Sequence, residues 1–351
     1  MKAIGLMSGT SLDGVDICLC EFSKEGEKWA LEVLKTETVP YPHHWQQSLS
    51  FNEQLSASKL LKMDHDYGVY LGELVKDFLH KHSFKRHDIQ LVASHGHTLF
   101  HQPDLGYTYQ LGNGPELHAS LGIPVVCDFR RQDVALGGQG APLVPIGDQL
   151  LFAEYESCLN LGGFSNISYA TKSGRIAFDI CPVNFVQNKL ATELGYDYDY
   201  QGLLASKGTV DANLLRQLDE LEYYEQKPPK SLGAEWAGKN VIPLITGTEL
   251  STFDKLRTYN EHVATQIARV LNDNHIKSCL LSGGGTHNTH LIELIRSKTI
   301  CELTIPAKEI IDFKEALIFA FMGVLRWQHS TNVMASVTGA SRDHSSGIVY
   351  Q

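Results

Sequence analysis

The chain has 351 residues, more than a single hydrophobic core usually supports, so two domains are expected. A net charge of −10 argues against a nucleic-acid or anionic-membrane surface but leaves room for a nucleotide, whose phosphates need only local donors. No apolar run approaches the ~18 residues of a membrane helix, and no basic-then-apolar signal segment precedes the first strand. Seven scattered cysteines without Cys-x-x-Cys spacing fit reduced thiols in the cytoplasm, and the sixteen histidines show no zinc spacing.

Residues 3–7 read as a buried strand, 8–11 as a turn, and 12–20 as a second strand, together a hairpin. Backbone N–H groups in a turn this rich in Gly, Ser and Thr can form a nest for a phosphate oxygen, with Thr10 and Ser11 adding hydroxyls. Asp13 or Asp16 can hold magnesium, a hard cation that takes oxygen ligands. An ordinary hairpin turn uses the same residue types. Residues 29–39 read as a third strand. A helix follows over 60–81, with Tyr67, Tyr70, Leu71, Leu74, Phe78 and Leu79 at helical spacing. Residues 89–94 form a buried strand that delivers Ser94-His95-Gly96-His97-Thr98 at its C-terminal end, where open α/β sheets bind ligands.

A helix over 114–121 and a strand over 123–127 lead into a Gly-rich, charged stretch, 128–145. Arg130 there offers a planar fork for a carboxylate or phosphate, or an ion pair with Asp128 or Asp133. The second half then starts over, with strand, Gly/Ser/Asn turn and strand across 157–170. The next strand, 175–178, delivers Asp179, placed as a general base or as the cap of the helix over 184–194. Residues 196–240 read as an irregular surface insertion. A helix spans 254–272. A strand over 278–282 ends in Gly283-Gly284-Gly285-Thr286-His287-Asn288, where glycines let a flat group or phosphate approach the backbone. The helix over 289–297 adds N-terminal dipole donors. A long helix over 313–329 carries Glu315, and the tail ends in a short strand.

Three Gly-rich turns after three buried strands, two of them opening similar halves, resemble the actin, sugar-kinase and heat-shock ATPase superfamily. Residues 5–16, His95-Gly96-His97-Thr98, Asp128-Phe129-Arg130-Arg131 and Gly137-Gly138-Gln139-Gly140-Ala141-Pro142-Leu143-Val144-Pro145 are similar to motifs of the anhydro-N-acetylmuramic acid kinases. So are Leu159-Asn160-Leu161-Gly162-Gly163, residues 283–288, Lys314-Glu315-Ala316 and residues 336–341, and all occur in the family's order.

The resemblance implies an α/β fold of two duplicated ribonuclease-H-like domains, 1–127 and 128–351, with an ATP and substrate cleft between them. The tail, about 337–351, is expected to pack on the first domain. It also implies domain closure and a cytoplasmic homodimer. The reaction implied is hydrolytic opening and phosphorylation of 1,6-anhydro-N-acetylmuramic acid by ATP and Mg2+, giving N-acetylmuramic acid 6-phosphate for peptidoglycan recycling. Asp179 then matches the base, and Thr98, Arg130 and Glu315 match substrate contacts. Gly9, Thr10, Ser11, Leu12, Asp13, Gly14, Val15 and Asp16 match the phosphate-binding stretch, with Asp13 and Asp16 toward the metal. Gly162, Gly163, Gly283, Gly284 and Gly285 complete the nucleotide set.

One motif departs. The family's Asp-Thr-Gly-Pro-Gly-Asn is here Asp179-Ile180-Cys181-Pro182-Val183-Asn184. A β-branched valine resists the positive φ open to glycine, so this loop must differ in backbone or in how closely a ligand approaches. Three other readings stand beside the muramic acid sugar: a kinase of another anhydro sugar such as levoglucosan, a nucleotide-binding regulator without turnover, and a chaperone ATPase. For the last, 351 residues leave no separate peptide-binding domain.

Overall fold

A computed structural model describes residues 1–9, 12–50, 55–112 and 114–351. Contacts divide the chain into two units, Met1–Leu151 with Phe313–Gln351, and Phe152–Asp312. The sequence reading divides it instead after Cys127, whereas these units keep the Gly-rich stretch and the last long helix mostly with the first.

In the first unit, β1 (Lys2–Ser8), β2 (Gly14–Glu25) and β3 (Lys28–Pro40) form an antiparallel meander. After α1 (His43–Ser50) and α2 (Ala57–Lys81), β4 (Leu91–Gln102) returns parallel to β1, pairing Ile4 with Val92. β5 (Tyr107–Leu111) folds back on the far half of β4. α3 (Pro115–Leu121) leads to β6 (Val125–Cys127), again parallel to β4, and then to the short α4 (Arg131–Ala135) and to α5 (Pro145–Leu151). α2 starts where the Ser56 side chain accepts the Lys59 N–H, and it buries Tyr67, Leu71, Val75 and Phe78. That stripe recurs every three or four residues, as a helix lying on a sheet requires.

The second unit repeats the plan. β7 (Ser157–Leu161), β8 (Phe164–Thr171) and β9 (Gly174–Pro182) form the meander. It is followed by α6 (Asn184–Glu193), α7 (Ala212–Asp219), α8 (Ala234–Asn240), α9 (Ile242–Thr246) and α10 (Thr252–Asp273). β10 (Ser278–Ser282) lies parallel to β7; α11 (Thr289–Lys298) and β11 (Glu302–Thr304) follow, with β11 parallel to β10. The order β11-β10-β7-β8-β9 reproduces β6-β4-β1-β2-β3 strand for strand and direction for direction. The segment 196–240, expected at the surface, exposes Tyr196, Tyr198, Tyr200 and Leu203 but is partly core. Leu214, Leu218, Tyr223, Tyr224 and Ala237 are buried, and all but Ala237 belong to the unit's main core. The Asp211 side chain caps α7 by accepting the Leu214 N–H, a cap hidden among the irregular residues around it.

α12 (Lys308–Trp327) begins in the second unit and continues in the first. α13 (Ala335–Thr338) and β12 (Ile348–Tyr350) follow, with β12 antiparallel to β6. The α12 run Ala316-Leu317-Ile318-Phe319-Ala320-Phe321-Met322 is apolar all round the helix, as full burial demands, and no residue in it is more than 1% exposed. The helix lies so close to β1 that a Cβ on Gly5 would stand 1.8 Å from the Ala316 carbonyl oxygen.

Candidate active site

In the first unit the β1–β2 turn carries the expected phosphate stretch, of which Thr10 and Ser11 lie outside the described residues. Leu12 is left-handed at φ 59° and donates its N–H to the Gly9 carbonyl at 3.4 Å. Gly14 and Val15 serve the fold. A Cβ on Gly14 would meet the Val39 carbonyl oxygen at 2.3 Å, and Val15 is fully buried. Asp13 is exposed, while half-buried Asp16 accepts the Thr38 hydroxyl at 2.6 Å. Two carboxylates flanking one turn suit an oxygen-seeking cation that completes its shell with phosphate and water, so the donor set fits magnesium in kind. Among the described residues no group of three or more His, Cys, Asp or Glu forms a metal site.

Behind this turn runs a buried chain that sequence reasoning missed. His97 Nδ1 meets Ser8 Oγ at 2.8 Å, Ser8 Oγ meets Tyr41 Oη at 2.5 Å, and Tyr41 Oη meets Tyr67 Oη at 2.5 Å. Burial pulls the His97 imidazole down to about 4, so it is neutral at physiological pH. The sequence placed Ser8 in a turn, His97 in a polar cluster and Tyr67 on a helix face, with nothing local to join them.

The His95–Thr98 cluster lies within β4, which continues to Gln102 and does not end at Ser94 as expected; pairing with β5 extends it. Thr98 Oγ1 accepts from Gln110 Nε2 at 3.3 Å, leaving the hydroxyl proton to donate elsewhere. Arg130, at the start of α4, makes no ion pair with Asp128 or Asp133 among the described residues. Its Nε donates to His95 Nε2 at 2.8 Å and its Nη1 to the Gly140 carbonyl at 2.7 Å. Asp133 is occupied elsewhere, accepting the Gly140 N–H and the Thr338 hydroxyl, each at 2.7 Å. Burial lowers the Arg130 pKa to about 10 against the charges of Glu315 and Asp133, so the guanidinium remains a cation. Glu315 projects from α12 with its surface open to solvent. Dehydration by the surrounding protein still raises its carboxyl pKa, outweighing the charges of Arg130 and Lys314. The neighbouring Lys314 is buried and pairs with Asp148 of α5 at 2.7 Å, which fixes this turn of α12.

In the second unit, Asp179 lies inside β9, which runs on to Pro182, opposite Asn166 where a bulge interrupts the β8–β9 register. It caps no helix, since α6 has Val183 at its N-cap. Asp179 Oδ2 accepts the Leu232 N–H at 2.8 Å, and Oδ1 has no partner among the described residues. The Tyr223 hydroxyl donates to its main-chain carbonyl at 2.7 Å. Burial raises the Asp179 pKa, only partly offset by the Leu232 N–H. A half-buried carboxylate with raised basicity and one uncommitted oxygen is equipped to take a proton. Its support comes from residues 223–232, within the stretch that looked irregular in the sequence.

The two residues that replace glycines are core positions. Val183 has φ −125° and is fully buried, as is Cys181, whose carbonyl accepts the Ser165 hydroxyl at 3.0 Å. No positive φ is needed here, which is why valine is accommodated. The Gly162 and Gly163 carbonyls accept the Val183, Asn184 and Phe185 N–H groups, closing the N-terminus of α6. Gly283, at φ 81°, and Gly285 are required by contact with the end of β7, where a Cβ would meet Leu161 backbone at 2.8 Å. Gly284 is exposed, with nothing nearer to its absent Cβ than 3.9 Å, and is the one of the three with room for a ligand.

Two sheets of one repeated order, each with a Gly-rich turn between its first two strands, define a duplicated α/β fold. The model of the anhydro-N-acetylmuramic acid kinase family matches residues 1–351, and the chain belongs to that family. A kinase of that name from Zymomonas mobilis is 33% identical over 377 aligned residues, covering 100% of each chain. One from Gloeobacter violaceus is 33% identical over 368, covering 97% of this chain and 96% of the relative. Among solved structures, component A of (R)-2-hydroxyglutaryl-CoA dehydratase from Acidaminococcus fermentans covers 92% of this chain at 12% identity with a TM-score of 0.49; the assignment does not rest on it.

Proposed function

We infer that the protein is an ATP-dependent kinase that opens 1,6-anhydro-N-acetylmuramic acid with water and phosphorylates the oxygen this releases, yielding N-acetylmuramic acid 6-phosphate. The observation that carries the mechanism is Asp179, with its raised basicity and uncommitted Oδ1. Asp179 takes a proton from water as that water attacks the anomeric carbon. The C1–oxygen bond breaks, and the oxygen left on C6 attacks the γ-phosphorus in line, with ADP leaving. Arg130 takes the lactyl carboxylate, Thr98 donates its hydroxyl to a sugar oxygen, and Glu315 accepts from a sugar hydroxyl. The Gly9–Asp16 turn and Gly284 receive the nucleotide. Asp13 and Asp16 would hold magnesium, which would supply charge neutralisation at the phosphates.

The seven cysteines are buried, and no described helix is long and apolar enough to cross a membrane. Action in the cytoplasm on a small sugar, in peptidoglycan recycling, is proposed from family membership. A homodimer is proposed from family membership alone. Kinetics with the muramic sugar and with levoglucosan, for wild type and Arg130→Ala, test the substrate. Preference for the muramic sugar that collapses in Arg130→Ala is expected. Equal use of both sugars by the wild type would assign the protein to another anhydro sugar.

A further inference from the structure

We propose that His95 is a positioning residue for substrate selection: as a neutral hydrogen-bond acceptor it sets the guanidinium of Arg130 so that one edge stays presented to the carboxylate of the sugar. The inference rests on the reading that Arg130 receives that carboxylate.

The protonation state of His95 follows from its partners. Arginine has only donors, so His95 Nε2, 2.8 Å from Arg130 Nε, must accept. A carbonyl only accepts, so Nδ1, 2.9 Å from the Gly96 oxygen, must carry the hydrogen. The ring is therefore the Nδ1–H tautomer, uncharged. It is 4% exposed, and its centroid lies 4.6 Å from that of Phe319 on α12, so it has little freedom to turn. Burial and the adjacent Arg130 charge both oppose its protonation.

The arrangement divides the five N–H groups of Arg130. Nε is held by His95 and one Nη1 hydrogen by the Gly140 carbonyl. Nη2 has no partner among the described residues. Both acceptors are uncharged, whereas a protein carboxylate in either place would neutralise the guanidinium and compete with a ligand. A cation anchored by neutral acceptors keeps its charge for the substrate at little further ordering cost. Gly140 is itself held by the Asp133 carboxylate, so Arg130 is fixed from two sides.

The test compares dissociation constants, by calorimetry, for 1,6-anhydro-N-acetylmuramic acid and for 1,6-anhydro-N-acetylglucosamine, which lacks the lactyl carboxylate. The proteins are wild type, His95→Leu, His95→Asn, His95→Gln and Arg130→Ala. Leucine removes the acceptor, asparagine is too short to reach, and glutamine can present an oxygen to Nε. Leu and Asn should weaken the muramic sugar roughly 10- to 50-fold, change the other sugar less than about 2-fold and leave ATP affinity unchanged; Gln should restore most of the loss. Equal weakening of both sugars in Leu and Asn, or no weakening of either, would overturn the proposal while Arg130→Ala still abolished discrimination. If Arg130→Ala left discrimination intact, the reading of Arg130 and this proposal would fall together. Should His95→Leu not fold, the Asn and Gln pair decides by the same criterion.

Discussion

Gly5→Ala isolates the contact that seats α12 on the sheet. The added methyl would lie 1.8 Å from the Ala316 carbonyl oxygen and 2.9 Å from the Ala320 nitrogen, both backbone atoms that cannot rotate aside. A relaxed carbon–oxygen contact is about 3.4 Å, so helix and strand must part by about 1.6 Å. Overpacking typically costs about 1–3 kcal/mol, and with backbone on both sides the upper end applies, about 3 kcal/mol. The displaced turn carries Glu315, one residue before Ala316, so activity should fall as well; a 1 Å misplacement can cost about 100-fold. Urea unfolding should show a lower midpoint at unchanged slope, and kcat/KM for the sugar should fall by one to two orders of magnitude. Gly238→Ala on α8, where nothing lies within 4 Å, serves as the control and should be neutral or slightly stabilising. A loss below about 1 kcal/mol with unchanged kinetics in Gly5→Ala would refute this account of α12.

Lys314→Met strands the Asp148 charge in the core and should cost about 3–5 kcal/mol in denaturant unfolding, whereas Lys314→Met with Asp148→Leu should recover most of it. His97 is neutral when folded and titrates near 4, against 6.5 as its ordinary value. The unfolded chain therefore binds the extra proton first, and this stability, fully present above about pH 6.5, is lost as pH falls to about 4. At full extent it amounts to about 3 kcal/mol, and His97→Gln should flatten that part of the pH–stability curve. Val183→Gly restores the family residue but empties a core position. It should cost about 2–4 kcal/mol of stability and move the sugar KM less than about 3-fold; a changed sugar preference would show that the side chain reaches the ligand.

The repeated strand–turn–strand openings were legible because each is an apolar strand broken by a turn of small residues, and periodicity located α2 and α10. Boundaries failed where tertiary pairing decides them. β4 runs through a polar cluster because β5 lies beside it, and β9 runs past Asp179 through a bulge at Ile180 that keeps it paired with β8. Residues 196–240 misled because their helices are too short to show a long period, although Leu214, Leu218, Tyr223 and Tyr224 are core. At the site, Asp179, Arg130, Thr98 and Glu315 were nameable by motif. Their supports were not: the Leu232 N–H, the Gly140 carbonyl and the His95 lone pair are set by chain reversals that no local pattern encodes. Several motif glycines proved to be packing positions, since a missing side chain reads alike whether a phosphate or a neighbouring strand takes the space.

The most direct measurement is ADP release dependent on 1,6-anhydro-N-acetylmuramic acid, with ATP and magnesium, for wild type and Asp179→Asn. The substitution keeps the shape of the side chain and an oxygen for the Leu232 N–H while removing its basicity. The account predicts sugar-dependent turnover in the wild type and a loss of about 100-fold or more in kcat in the variant, with ATP and sugar still bound. Undiminished turnover in Asp179→Asn would contradict it.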